Sequence, residues 1–129
     1  VFRGRQLLLY AFRQDSVPVG FQDPSMSVNV DVMVLDARTH SLYSLPDVTG
    51  LDFEIQAVLL TKACTALSLL TACEAIEALD RYEFAFVCHG ATHRSVACCV
   101  LLAAIIYSDA TVVLTTARTK AAAIARGLV

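Results

Sequence analysis

The stretch Val87-Cys88-His89-Gly90-Ala91-Thr92-His93-Arg94-Ser95 joins one apolar run, residues 84–87, to a longer one, residues 96–107. The first has the length and side chains of a buried strand, and the second is long enough to read as a helix. A strand that turns through a small-residue loop into a helix is the building unit of an open α/β sheet. It also aims the unpaired backbone N–H groups of the helix's first turn at one spot, where the helix dipole adds partial positive charge. An anion suits such a spot. Arg94 supplies a planar fork matched to phosphate oxygens, His93 a second donor, and Gly90 a backbone that a ligand can approach closely. The expected ligand is a phosphorylated small molecule or another anion.

The rest of the chain alternates in the same way. Residues 6–12 form a nearly continuous apolar run that suits a covered strand, and residues 15–26, with Pro18, Gly20 and Pro24, read as a loop. Residues 27–35 set Val28, Val30, Val32 and Val34 on one period-2 face and lead to Asp36-Ala37-Arg38 at the strand's exit. Pro46 and Gly50 mark a turn, after which Asp52 can cap a helix with Glu54 in its first turn. The helical pattern then persists to Tyr82, longer than a usual globular helix, which predicts a break near residues 61–65. A last strand over 111–116 and a short helix over 119–126 complete the pattern. The expected fold is a small open α/β sheet of about four strands with helices packed on its faces. The loop after Cys88 and the exit at Asp36 then share the carboxyl edge, where such sheets bind ligands.

At 129 residues the chain suits one domain, residues 1–129, burying roughly 65–70% of its unfolded surface. Its hydrophobic content of 57% and mean hydropathy of +0.61 are high for a lone soluble domain, and the segment 94–107 has no polar stripe beyond its first turn. That segment is therefore expected to be covered all round, by the domain's own layers or by a partner, within an oligomer or a larger assembly such as a viral particle. It falls short of the roughly 20 residues that span a bilayer, so no membrane anchor is expected. The start at Val1 shows no signal-peptide pattern, and the chain is expected to be a module of something larger.

Five cysteines, Cys64, Cys73, Cys88, Cys98 and Cys99, follow no disulfide framework, which fits a reducing, cytoplasmic setting. A zinc site from Cys88, His89, His93 and His40 lacks any Cys-x2-Cys or His-x3-His pair, and neither metal nor cofactor is expected. The formal net charge is −2, with only Lys62 and Lys120 beside the arginines. RNA binding is therefore expected to be weak, with Arg3, Arg5, Arg13, Arg118, Lys120 and Arg126 forming a local basic patch only if the termini meet.

Two resemblances bear on the loop. Cys88 and Arg94 stand in the Cys-x5-Arg-Ser spacing of cysteine-dependent phosphatases, although Val87 and Ala91 occupy positions where those enzymes usually carry His and Gly. More of the chain resembles the C-terminal domain of the RapZ family of RNase adaptor proteins. Its loop shares Cys88, Gly90, His93, Arg94 and Ser95, and three further motifs agree in order: Tyr10-Ala11-Phe12-Arg13 with Val17-Pro18, Asp36-Ala37-Arg38, and Thr49-Gly50-Leu51-Asp52. The resemblance implies a small α/β unit that binds an aminosugar phosphate and contributes to binding a regulatory RNA. It would place Cys88, Gly90, His93 and Arg94 in the sugar-phosphate pocket with Asp36 and Arg38 nearby. The stretch between Asp36 and Thr49 is about four residues shorter than that family's, and it leaves the role of His40 open.

Several roles stay open at this point. Cys88 is a buried strand-end residue, a lining of the pocket, or a nucleophile activated by Arg94 and the helix terminus. Arg94 meets either an anion or a carboxylate from Asp36 or Asp52. His93 either contacts the ligand or orients the loop. Asp36 and Arg38 either pair with each other or read the ligand's hydroxyls or amine, and Ser95 caps the helix or supports the loop. The site is thus expected to comprise Cys88, His89, Gly90, Ala91, Thr92, His93, Arg94 and Ser95 with Asp36 and Arg38. Its first function is phosphorylated-ligand binding, beside a Cys88/Arg94 phosphatase or RNA 5′-phosphatase and a structural or interaction module.

Overall fold

A computed structural model describes residues 4–31, 41–45 and 47–128. Asp36, Arg38 and His40 lie outside the described residues, as does Arg3. The chain is an α/β fold in which β1 (Leu8–Arg13), β2 (Ser27–Asn29), β3 (Glu83–Cys88) and β4 (Thr111–Leu114) form one sheet in the order β2-β3-β1-β4. Every neighbouring pair is parallel. Parallel strands need crossovers, supplied by α1 (Phe53–Leu60) and α2 (Ala63–Ala78) before β3 and by α3 (Arg94–Ile105) before β4, while α4 (Ala117–Ala125) follows the last strand.

The break expected in the long helical segment falls at Thr61 and Lys62, where α1 and α2 meet at 93°. Val32 and Val34 of the valine alternation lie outside the described residues. Among the described residues β2 ends at Asn29, whose side-chain oxygen accepts from Asp31 N at 2.8 Å and turns the chain. Val28 and Val30 face the core as their period demands.

The main core lies between the sheet and its helices. Leu9 and Ala11 of β1, Phe84 and Phe86 of β3, Val96, Cys98, Cys99 and Leu102 of α3, and Ala72, Ala75 and Ile76 of α2 are packed together. Cys98 and Cys99 serve there as small apolar groups, and burial raises both thiol pKa values, that of Cys98 to about 12. Ile55 and Leu59 of α1 close over Ala97 in a second cluster. The opposite sheet face carries Phe12, Ala85 and Val87 beneath the short 3-10 turn Val19–Phe21, where Tyr10, Phe12 and Phe21 stack on one another. The domain's own layers cover the helix after Arg94 except at its end. Seven residues between Ser95 and Leu102 are buried, yet Ile105 and Ile106 remain 59% and 50% exposed, since they point away from the sheet and from α1.

Strand order fixes where a ligand can enter. From β1 the chain crosses past β3 to the β2 edge, and from β3 it crosses past β1 to the β4 edge. Connections that diverge from adjacent strands leave a crevice at their carboxyl ends. Arg13 and Cys88 are paired across that crevice, so the loop 89–93 sits at the switch point.

Candidate anion-binding site

The β3–α3 loop is bent by its backbone. Ala91 is buried and adopts φ +51, the left-handed region that L-residues enter at a cost of about 1–2 kcal/mol. Successive N–H groups around a residue in that conformation turn toward a common centre, forming a concave nest for an anion. Among the described residues, the backbone N–H groups of His89, Gly90, Ala91, Thr92 and His93 donate to no acceptor. Orphaned donors are rare where a residue is buried, as Ala91 is. The left-handed backbone of the loop falls on Ala91, while Gly90 leaves the backbone open to close approach, as expected. Gly90 is exposed, and a Cβ placed on it would meet only Thr92 Oγ1, at an ordinary 3.7 Å.

The turn Thr49-Gly50-Leu51-Asp52 buttresses this loop. Thr49 N donates to Asp52 Oδ2 at 2.7 Å, Leu51 N to Thr49 Oγ1 at 3.1 Å, and Gln56 Nε2 to Gly50 O at 2.9 Å. Gly50 N then donates to Thr92 O at 2.7 Å. The contact is so close that a Cβ on Gly50 would lie 2.3 Å from His93 O and 2.4 Å from Ala97 N. Glycine is needed here for backbone approach.

Of the two roles open to His93, the ring takes the loop-orienting one. Nε2 is 2.8 Å from Val48 O, and the ring stacks on Tyr43 at 4.4 Å between centroids. A carbonyl only accepts, so Nε2 carries the proton, and Nδ1 of the neutral ring is an acceptor. Burial lowers the His93 pKa from its ordinary 6.5. In the unfolded chain the ring binds its proton more readily, so the folded state is favoured above about pH 6.5 and loses that advantage as the pH falls toward the depressed folded value. We expect the melting temperature to drop on acidification from pH 7 to pH 5.5, with a shallower slope in His93→Gln, which keeps a donor toward Val48.

Among the described residues the carboxylate that Arg94 meets is Asp31 and not Asp52. Arg94 Nη2 lies 2.8 Å from Asp31 Oδ1 and its Nη1 3.3 Å from Asp31 O. The pair is mostly buried, with 15% and 20% of the side chains exposed. Despite the short distance, Asp31 Oδ1 has no donor aligned on it, so the ion pair is held by charge more than by directed bonding. Asp52 instead pairs with Arg126 at 2.7 Å. Cys88 is 2% exposed and its thiol lies 3.1 Å from Ser95 Oγ, which places Ser95 in the supporting role rather than that of a cap.

A cavity of about 240 Å³ opens at the loop, lined by Cys88, His89, Gly90, Thr92, His93, Arg94 and Arg118. Arg118 stands in the first turn of α4, on the same carboxyl edge, and donates to Leu45 O and Val48 O at 3.3 Å. Val48 O thus ties His93 and Arg118 to one point. Sequence reasoning missed Asp31, Arg118 and Tyr43 as parts of the site. Arg118 carried a signal, since it follows a strand's carboxyl end into a helix just as Arg94 does, and Asp31 follows the strand's Asn29 in an Asx turn.

Among the described residues, Arg5 and Arg118 do not come together in one terminal basic patch. Arg5 precedes β1 at the amino edge, with its guanidinium 3.9 Å from the centre of the Tyr82 ring, whereas Arg118 follows β4 at the carboxyl edge. Arg13 and Arg126 are paired with Asp15 and Asp52. Among the described residues no group of three His, Cys, Asp or Glu side chains is disposed to hold a metal ion, and no single helix is long and apolar enough to cross a membrane. No family model and no curated protein matches this chain.

Proposed function

We propose that the domain binds a phosphorylated small molecule through its β3–α3 loop, with the phosphoryl group seated in the nest of residues 89–93 between Arg94 and Arg118. The observation that carries this reading is the run of five successive backbone N–H groups without an acceptor, curled by Ala91 at the amino end of a helix of 12 residues. Two arginines line the same cavity, and the topological switch point lies beneath it. The motifs shared with the RapZ C-terminal domain point the same way.

Binding without chemistry is favoured over the phosphatase alternative. Val87 and Ala91 depart from the His and Gly that the Cys-x5-Arg phosphatases usually carry, and the buried Cys88 thiol donates to Ser95 and so supports the loop. Calorimetric titration with inorganic phosphate and sugar phosphates is expected to show saturable binding at millimolar ligand or below. Absence of heat at that concentration would leave the loop as scaffolding. Hydrolysis of a phosphate ester by the wild type, lost in Cys88→Ser, would restore the enzymatic reading.

A further inference from the structure

We infer that the ligand is a nucleoside monophosphate, whose base lies in a second cavity beside the loop. This rests on the phosphoryl reading above and extends it to the rest of the ligand. The second cavity, of about 420 Å³, runs between α4 and the turn before α1 and is lined by Asp47, Thr49, Arg118, Ala121, Ala122, Ala125 and Arg126. Arg118 lines both cavities, so a molecule anchored by phosphate at residues 89–93 has this groove as its continuation. The volume is in the range of sites that enclose small organic molecules, about 300–1,000 Å³, whereas the phosphate cavity falls below it.

The lining selects the ligand's chemistry. Ala121, Ala122 and Ala125 lie on one side of α4 and offer a floor of methyl groups without hydrogen-bonding atoms. A sugar ring would leave its hydroxyls unpaired against that floor, at a cost in free energy, while a planar heterocycle buries its face there favourably. The guanidinium of Arg118 is planar and stacks on such rings as readily as it bonds phosphate at its edge. Asp47 at the rim accepts from the ring's amino or imino N–H groups. Arg126, also in the lining, is fixed on Asp52 at 2.7 Å. A phosphate, a short polar connector and a flat ring bearing N–H donors describe a nucleotide better than a sugar phosphate.

The test compares adenosine monophosphate, ribose 5-phosphate and inorganic phosphate by calorimetry on the wild type and on an Ala121→Leu/Ala125→Leu variant, both positions being exposed and Leu a good helix former. Adenosine monophosphate should bind at least tenfold more tightly than the other two, and the variant should lose that advantage while melting as the wild type does. If all three bind the wild type alike, the groove inference falls and the phosphoryl reading stands. An advantage that survives in the folded variant overturns the groove as its source. If none of the three binds, both readings fall together.

Discussion

Replacing Gly50 by Ala should destabilise the domain by more than about 3 kcal/mol, the largest effect expected of any single methyl group in this chain. Overpacking in a well-packed site typically costs about 1–3 kcal/mol when neighbouring side chains can give way. Here the obstacle is backbone. The new Cβ would meet His93 O at 2.3 Å, Ala97 N at 2.4 Å and Val96 Cβ at 2.7 Å, and it can be relieved only by moving the turn off α3. That movement breaks the Gly50 N to Thr92 O bond and releases the loop. Against a total stability of about 5–15 kcal/mol the loss is severe. Chemical denaturation should show it as a shifted midpoint, with Gly90→Ala as a mild control because its Cβ meets nothing closer than 3.7 Å. Equal effects at the two glycines would refute the buttress.

The contrast between those glycines shows what the sequence could and could not convey. The alternation of apolar runs, the turn at Gly50, the break near residue 61 and the strand–loop–helix at Cys88 all follow from local patterns, because periodicity and turn chemistry act over a few residues. Partner choice across the fold does not. Nothing local distinguishes Asp31 from Asp52 as a carboxylate for Arg94, since strand order and the Asx turn at Asn29 decide which of the two arrives. The loop-orienting bond of His93 depends on Val48, some 45 residues away in sequence, for its carbonyl. Arg118 read as a solvated terminal charge because its place at the carboxyl edge depends on β4 adding beside β1. The special backbone fell to Ala91 rather than to the glycine beside it, a choice that residue type alone would have assigned the other way.

Replacing Arg94 by Ala should have two separable consequences. It strands the Asp31 carboxylate, which is only 20% exposed, and breaking a buried pair of this kind costs about 3–5 kcal/mol. Because both partners keep some access to water, we expect the lower part of that range or slightly less, about 2–4 kcal/mol. It also removes the arginine fork from the nest, and charge-assisted bonds worth about 1.5–3 kcal/mol each convert to at least a tenfold loss of phosphate affinity. The double variant Arg94→Ala/Asp31→Ala, with no stranded charge, should regain most of the stability and none of the affinity. Asp31→Asn alone should bind phosphate severalfold more tightly than the wild type, since it removes the carboxylate that competes for Arg94. Recovery of phosphate binding in the double variant would show that Arg94 serves folding only.

The central claim is that the unpaired N–H groups of residues 89–93 form a seat for a phosphoryl group, and amide chemical shifts report on those groups one by one. Titration of the 15N-labelled domain with inorganic phosphate should move the amide signals of His89, Gly90, Ala91, Thr92 and His93 most, along a single saturating curve, and Arg94→Ala/Asp31→Ala should abolish the movement. Shifts that do not saturate, or that centre on other parts of the molecule while residues 89–93 stay unmoved, would contradict it.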